Sequence, residues 1–174
     1  MRSRLALSTA YSLLFSPVSV DELFDRLQDM QVEQVAITDR DNLYGYPVYR
    51  EAAKERGISL ICACLLTEKT GDLFVFVQDQ GGYELLCKLI SKRNLDSSFS
   101  YLPTLKETSE GLVLATASSA ILTQLVGTGA KLYGAISPDS LQIITTAKRL
   151  GVPLLAVDGA FLLAESQREV HQVL

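Results

Sequence analysis

The chain has 174 residues, of which 48% are hydrophobic, and this length and composition predict one domain with a substantial buried core. Twenty acidic residues outnumber 16 basic ones, which gives a net charge of −4. Tight nucleic-acid binding usually needs a basic face, so this balance argues against it. The sequence lacks both a stretch of about 18 uncharged apolar residues and a signal-peptide core, and we expect a cytoplasmic protein.

Four apolar runs in the first half of the chain are separated by amphipathic or polar segments. A capping box at residues 19–22, Ser-Val-Asp-Glu, predicts the start of the first helix, and Gly57 is a suitable end for the second. The polar residues 67–71 predict a loop before the fourth run. The runs themselves predict strands at residues 4–7, 34–38, 59–64 and 73–77.

The second half continues in the same way. A helix is expected to begin at Gly81-Gly82, and residues 94–103 predict a surface excursion because they have no period. Ser137 followed by Pro138 predicts the start of another helix, since Ser is a favoured N-cap and Pro fits the first helical position. Strands are predicted at residues 111–116, 131–136 and 153–157, and helices at residues 120–126 and 165–174.

This alternation of strands and helices favours parallel pairing through right-handed crossovers, so the predicted fold class is α/β. The pattern alone leaves an open doubly wound sheet and a barrel as alternatives. No Gly-x-Gly-x-x-Gly follows the first strand and no Walker sequence is present, which weakens the nucleotide-binding versions of the open sheet.

The stretch of residues 35–45 carries the strongest candidate site. Its apolar half predicts a buried strand, and the residues just beyond the carboxyl end of such a strand usually line the functional site of an α/β fold. Asp39, Arg40 and Asp41 occupy that position. Residues 38–45, Thr-Asp-Arg-Asp-Asn-Leu-Tyr-Gly, resemble the Thr-Asp-His-Gly-Asn-x-x-Gly motif of the PHP (polymerase and histidinol phosphatase) family, with Arg40 at the position of a metal-binding His.

Further segments strengthen the resemblance, and they occur in the family's order. Residues 9–14 resemble the family's Thr-Glu-Tyr-Ser-Leu-Leu, and residues 82–91 resemble its Gly-Tyr-x-x-Leu-x-x-Leu helix. Residues 109–112 and 150–154 also have counterparts. The chain is therefore similar, nearly end to end, to the PHP domain of the bacterial DNA polymerase III α subunit and of its error-prone relative.

The resemblance implies a distorted TIM-like (β/α)7 barrel of the PHP type. Residues 117–136 are shorter than the family equivalent, so a shortened or incomplete barrel is expected. The whole of residues 1–174 forms a single domain in this interpretation, and it is expected to be the N-terminal part of a longer polypeptide. Whether that parent is replicative or error-prone is left open.

In the family a cluster of zinc, manganese or magnesium ions, held by His, Asp, Glu and Cys, hydrolyses phosphoesters. Most of the corresponding positions here have side chains without a suitable lone pair, and Arg cannot coordinate a cation. The resemblance therefore implies no metal, no cofactor and no catalytic residue in this chain. The positions concerned are Ala6, Ser8, Asp39, Arg40, Leu65, Ser118, Gly159 and Phe161.

A vestigial charge cluster of Asp39, Arg40, Asp41 and Asp158 would remain. Arg40 has two interpretations: a surface residue paired loosely with Asp39 or Asp41, or a fixed cation that replaces the metals and neutralises Asp39 and Asp158. It could also bind an anion.

Other candidate groups favour structural roles. Cys62 and Cys64 lie on one face of a strand and are expected to be packed thiols, while a metal or redox pair is the alternative. His171 is expected to face solvent. Ser8, Ser12 and Ser118 have no nearby His to act as a base.

The leading functional hypothesis is a non-catalytic module in DNA replication or repair synthesis. Its expected partners are the polymerase domains of the same polypeptide and a proofreading exonuclease subunit, with neither tight nucleic-acid binding nor a membrane. The alternative is a metal-dependent phosphoesterase, resembling a 3′–5′ exonuclease, whose ligands come from Asp39, Asp41, Glu68 and Asp158.

Overall fold

Seven strands form one curved sheet whose spatial order follows the chain in a computed structural model, which describes residues 2–13, 15–138 and 140–157. The strands are β1 (Ser3–Leu7), β2 (Gln34–Ile37), β3 (Ser59–Glu68), β4 (Gly71–Val77), β5 (Leu112–Thr116), β6 (Lys131–Ile136) and β7 (Leu154–Ala156). The helices are α1 (Val20–Asp29), α2 (Tyr46–Glu55), α3 (Gln80–Leu95), α4 (Leu102–Glu107), α5 (Ser119–Leu125) and α6 (Ile143–Leu150). No described helix is both long enough and apolar enough to span a bilayer.

Strand β4 runs against its neighbours, and the expectation of parallel pairing throughout is wrong at this point. β1, β2 and β3 pair in parallel, as do β5, β6 and β7, but β4 is antiparallel to both β3 and β5. The cause is the connection from Glu68 to Gly71, which is too short for a crossover and therefore makes a hairpin. The segment predicted as a loop at residues 67–71 consists of the end of β3, the turn and the first residue of β4.

The sheet curls into a half-barrel with a concave inner face. This confirms the predicted α/β barrel architecture in a shortened form. One cluster of buried residues joins the first six strands to Val157, which follows β7, and most of its members are small side chains. The buried members of the cluster are Ala6, Ala36, Ala63, Phe76, Ala115, Ala135 and Val157.

The helices cover the convex face in two groups. Phe24 and Tyr49 belong to a cluster under α1 and α2, and Leu86 and Leu122 belong to a larger one under α3, α4, α5 and α6. The N-cap of α1 is Ser19, whose side chain accepts a hydrogen bond from the Glu22 N–H. This confirms the Ser19 half of the predicted capping box.

Two predicted boundaries are wrong. The region expected to be a surface excursion ends in the buried Tyr101 and in helix α4. Helix α6 does not begin at Ser137 but at Ile143, because the Ser140 hydroxyl accepts from the Ser137 N–H and closes a turn before the helix. The helix predicted at residues 165–174 and His171 lie outside the described residues.

All parallel strands end at the same edge of the sheet, which we call the mouth. The connections after β1, β2, β5 and β6 lie there, together with the hairpin from β3 to β4. Because β4 is antiparallel, α3 begins at the opposite edge and ends at the mouth. The candidate residues that follow β2 therefore lie at the mouth.

Candidate active-site region at the mouth

The Asp39 carboxylate is buried, and neutral donors of the protein surround it. Oδ1 accepts hydrogen bonds from the Thr9 N–H at 2.9 Å and from the Ser12 hydroxyl at 2.6 Å. The Thr9 hydroxyl lies 3.1 Å from Oδ2, and the Tyr49 hydroxyl also donates to Oδ2. Burial raises the pKa of Tyr49, and the neighbouring Asp39 charge raises it further. Tyr49 therefore stays protonated and donates to the carboxylate.

Arg40 has a different partner from the ones expected. Its guanidinium lies 3.4 Å from Asp72 Oδ2 in β4 and 4.5 Å from the centre of the Phe15 ring. The Arg40 and Asp72 side chains are 38% and 42% exposed. Sequence reasoning missed Asp72, since only the hairpin brings β4 to this position. Asp39 is stabilised by hydroxyls and a backbone N–H. The Arg40 side chain is partly exposed, and its buried Nε has no hydrogen-bond partner among the described residues.

Asp41 lies in the left-handed backbone region, with φ 51°, and connects β3 to the segment before α4. Oδ1 accepts from the Thr67 N–H at 2.9 Å and from the Tyr101 hydroxyl at 2.8 Å, and the Thr67 hydroxyl donates to Oδ2. Burial and this contact with Asp41 raise the pKa of Tyr101. The carboxylate thus serves as a structural connection between two distant parts of the chain.

Glu68 ends β3, and its side chain binds the segment that leads into α4. Its Oε1 accepts from the Ser100 hydroxyl at 2.8 Å and from the Tyr101 N–H at 2.5 Å. Arg93 lies close by and donates to the Thr67 carbonyl at 3.2 Å. Three carboxylates named for the phosphoesterase alternative, Asp39, Asp41 and Glu68, therefore each accept hydrogen bonds from protein groups.

The remaining family positions supply no further carboxylate or imidazole within the described residues. Ala6 lies on the concave face with φ 66°, at an irregularity in the pairing of β1 with β2. Leu65 is buried, and its N–H donates to the Asp39 carbonyl at 3.0 Å. Ser118 is the N-cap of α5, and its hydroxyl donates to the Thr70 carbonyl at 2.6 Å. Ser8 is buried. Asp158, Gly159 and Phe161 lie outside the described residues.

Among the described residues, no group of three His, Cys, Asp or Glu side chains is arranged to hold a metal ion. A cavity of about 510 Å³ lies beside the mouth, between the hairpin and the connections that follow β5 and β6. Its lining is rich in hydroxyls, including those of Ser118, Ser137 and Ser140, and Asp72 contributes a carboxylate.

The three cysteines are free thiols. Cys64 is buried, and its thiol donates to the Asp39 carbonyl at 3.3 Å, so it supports the loop that carries Asp39. Burial raises the pKa of Cys62 to about 12. Both Cys62 and Cys64 are packed among other residues, as expected for structural thiols.

The fold is thus a shortened, TIM-like α/β barrel that carries an acidic residue, Asp39, just after its second strand. The PHP domain model matches residues 5–150. The chain therefore belongs to the PHP domain family.

The most similar relatives include polymerases. Error-prone DNA polymerase 1 of Agrobacterium fabrum is 34% identical over 91 residues, which cover 51% of this chain and 8% of that protein. The DNA polymerase III α subunit of Caulobacter vibrioides is 29% identical over 127 residues, covering 63% of this chain and 11% of the subunit. The chain thus spans about a tenth of the length of these relatives.

Solved structures agree on the fold. A proposed metal-dependent phosphoesterase from Bifidobacterium adolescentis superposes with a TM-score of 0.61 at 12% identity, over 99% of this chain and 96% of that one. An amidohydrolase from Chromobacterium violaceum gives 0.63 at 12% identity, over 96% of this chain and 89% of that one.

Proposed function

We propose that this chain is a non-catalytic PHP domain that serves as a structural and protein-interaction module of a DNA polymerase III α-type protein. In such a protein it would work in the bacterial cytoplasm. The observation that carries the proposal is the Asp39 carboxylate, which its family motif places at a metal-binding position. Here both of its oxygens accept hydrogen bonds from Thr9, Ser12 and Tyr49, and these bonds hold the connections that follow β1 and β2 together.

The donor set does not fit the metal cluster of the family. A cation at Asp39 would have to displace buried hydroxyl donors, and its neighbours at the family positions would be Ala6, Arg40 and Leu65. An alkyl group offers no lone pair, and a guanidinium repels a cation. Zinc prefers nitrogen and sulfur ligands, whereas calcium needs six or more oxygens.

The length of the relatives supports the choice of polymerase domains as the partner. The PHP-like stretch makes up 8% and 11% of the two polymerases described above, so in those proteins the domain is one part of a much longer chain. We propose the polymerase domains of such a polypeptide as the partner of this domain. A proofreading exonuclease is a further partner that the family resemblance suggests.

Metal content and phosphoesterase activity of the purified chain test the proposal. The chain is dialysed against zinc, manganese or magnesium, its bound metal is measured by mass spectrometry, and hydrolysis of bis(p-nitrophenyl) phosphate is followed. We expect substoichiometric metal and no turnover above buffer. A PHP phosphoesterase with its histidines intact is the positive control for the assay.

Stoichiometric metal with turnover would support the phosphoesterase alternative, which is then tested with Asp39→Asn and Asp41→Asn under conditions in which circular dichroism shows that each variant is folded. If turnover depends on these two carboxylates, the non-catalytic proposal is wrong. Turnover that both variants retain in full would instead point to a contaminating hydrolase.

A further inference from the structure

Tyr49 joins helix α2 to the two loops that follow β1 and β2, and it does so through the Asp39 carboxylate. The Tyr49 hydroxyl donates to Asp39 Oδ2 and lies 2.6 Å from the Thr9 hydroxyl. Tyr49 is buried, and the Tyr11 ring packs edge-on against its ring, with the ring centres 5.8 Å apart. One helix and two loops of the mouth therefore meet at a single phenol hydroxyl.

Gly45, the last residue of the motif, leaves the space that this phenol occupies. A Cβ on Gly45 would lie 2.0 Å from the Tyr49 hydroxyl oxygen and 2.7 Å from Cδ2 of Tyr11. The Gly45 backbone has φ −78° and ψ −13°, a conformation that any residue adopts, so glycine is not required for the backbone. It is required for space, because the buried Tyr49 ring could not keep its contact with Asp39 beside a larger residue.

Two backbone N–H groups, one in each loop, depend on the same side chains. The Thr9 N–H donates to Asp39 Oδ1 at 2.9 Å. The Arg40 N–H donates to the Ser12 hydroxyl at 3.1 Å, and that hydroxyl donates in turn to Asp39 Oδ1 at 2.6 Å. A buried N–H that loses its acceptor costs free energy, because water does not readily replace the partner. A shift of the Asp39 carboxylate would therefore release both loops together.

We propose that four side chains form a hydrogen-bonded latch, which fixes the mouth at the position where the family motif has a metal ligand. This phenol latch consists of Thr9, Ser12, Asp39 and Tyr49. Tyr49 is its positioning residue, since it links both loops to a helix and is itself seated against Gly45. The inference rests on the proposed function, in which Asp39 has no catalytic role, and adds how this chain holds the site in one conformation.

The experiment measures amide hydrogen exchange by NMR in the 174-residue chain, for the wild type and for Tyr49→Phe. This variant keeps the ring and removes only the hydroxyl, so it is expected to fold, and circular dichroism checks this. Tyr46→Phe is the matched control. It loses a phenol hydroxyl from the first turn of the same helix, but the partner of that hydroxyl is Cys62 and not Asp39.

We expect exchange of the Thr9 and Arg40 amides to accelerate at least about tenfold in Tyr49→Phe, because both N–H groups lose a fixed acceptor. In Tyr46→Phe the two rates should stay unchanged. Gly45→Ala should accelerate the same two amides, since its added methyl group would displace the Tyr49 hydroxyl. This second variant decides the question if Tyr49→Phe does not fold.

The amide of Leu114 in strand β5 serves as the reference for unfolding of the whole domain, because local opening of the mouth leaves a central strand protected. Equal acceleration at Leu114, Thr9 and Arg40 would overturn the latch, since the hydroxyl would then support the fold as a whole. Unchanged exchange of the two loop amides in either folded variant would also overturn it. The proposed function would survive both results, because only stoichiometric metal with turnover in the wild type contradicts it.

Discussion

Asp39 connects the two loops that begin the domain, and its hydrogen bonds explain why the buried carboxylate is stable there. Four neutral donor contacts compensate for the water that the carboxylate loses on burial. The Ser12 hydroxyl also accepts from the Arg40 N–H at 3.1 Å, so the network includes the backbone of the motif itself. A side chain placed for chemistry in the family motif has a structural role here.

Asp39→Asn should therefore destabilise the domain by about 2–3 kcal/mol, because the amide NH₂ would face donors and at least one would lose its partner. Hydroxyls can rotate, but the Thr9 N–H cannot. Urea unfolding monitored by circular dichroism measures the effect. Asp72→Asn is the control, since its partly exposed ion pair should contribute no more than about 1 kcal/mol. Equal stability of Asp39→Asn and wild type would contradict the structural role.

The Arg40–Asp72 pair lies close to solvent, so neither residue holds the mouth together. In a double-mutant cycle of Arg40→Ala and Asp72→Ala we expect a coupling free energy below about 1 kcal/mol. The contact with Phe15 adds about 0.5–1 kcal/mol to the cost of removing Arg40. Thermal and urea unfolding of the four proteins give the cycle. A loss of several kcal/mol on Arg40→Ala would restore the interpretation in which Arg40 replaces the metals.

At the scale of elements, helix α3 shows why two neighbouring glycines are not equivalent. The Asp79 side chain accepts from the Gly82 N–H and caps the helix. A Cβ on Gly82 would lie 2.0 Å from the Gly111 carbonyl oxygen, whereas a Cβ on Gly81 would be 3.4 Å from its nearest neighbour, Asp79 Oδ1. The start of α3 thus packs directly against the backbone that leads into β5.

Gly82→Ala should accordingly lower the free energy of unfolding by about 1–3 kcal/mol, since the clash is with backbone and forces a shift. Gly81→Ala should leave it unchanged or raise it by up to about 1 kcal/mol, because Ala favours the helix. Differential scanning calorimetry of the two variants provides a matched comparison. The same Tm for both would show that the approach of α3 to Gly111 is looser than the distance indicates.

At the scale of the whole molecule, the acidic groups with raised pKa values make alkaline pH destabilising. Burial raises the pKa of Cys62 from 9.0 to about 12, and it also raises those of Tyr49 and Tyr101 above 10.0. A group whose folded pKa is raised stabilises the protein fully below its unfolded pKa and loses that contribution as pH rises towards the folded value.

These groups should therefore leave the Tm nearly unchanged up to about pH 8 and lower it between pH 9 and 12. Cys62→Ala removes one contributor, so its Tm should fall less steeply over the same window. Thermal melts of both proteins at intervals of half a pH unit measure the slopes. Parallel slopes would show that Cys62 titrates normally in the folded state.

Local signals along the chain were sufficient to predict most of the strands and helices and the family. Capping residues and apolar runs located most strands and helices because these signals act within a few residues along the chain, and the motif at residues 38–45 identified the position of the candidate site. The direction of β4, the burial of Tyr101 and the partners of Asp39, Arg40 and Asp41 became known only from the folded chain. Those partners, such as Tyr49 for Asp39, Asp72 for Arg40 and Tyr101 for Asp41, lie 10 to 60 residues away in the chain. Their contacts depend on how the sheet curls, and no local pattern records that.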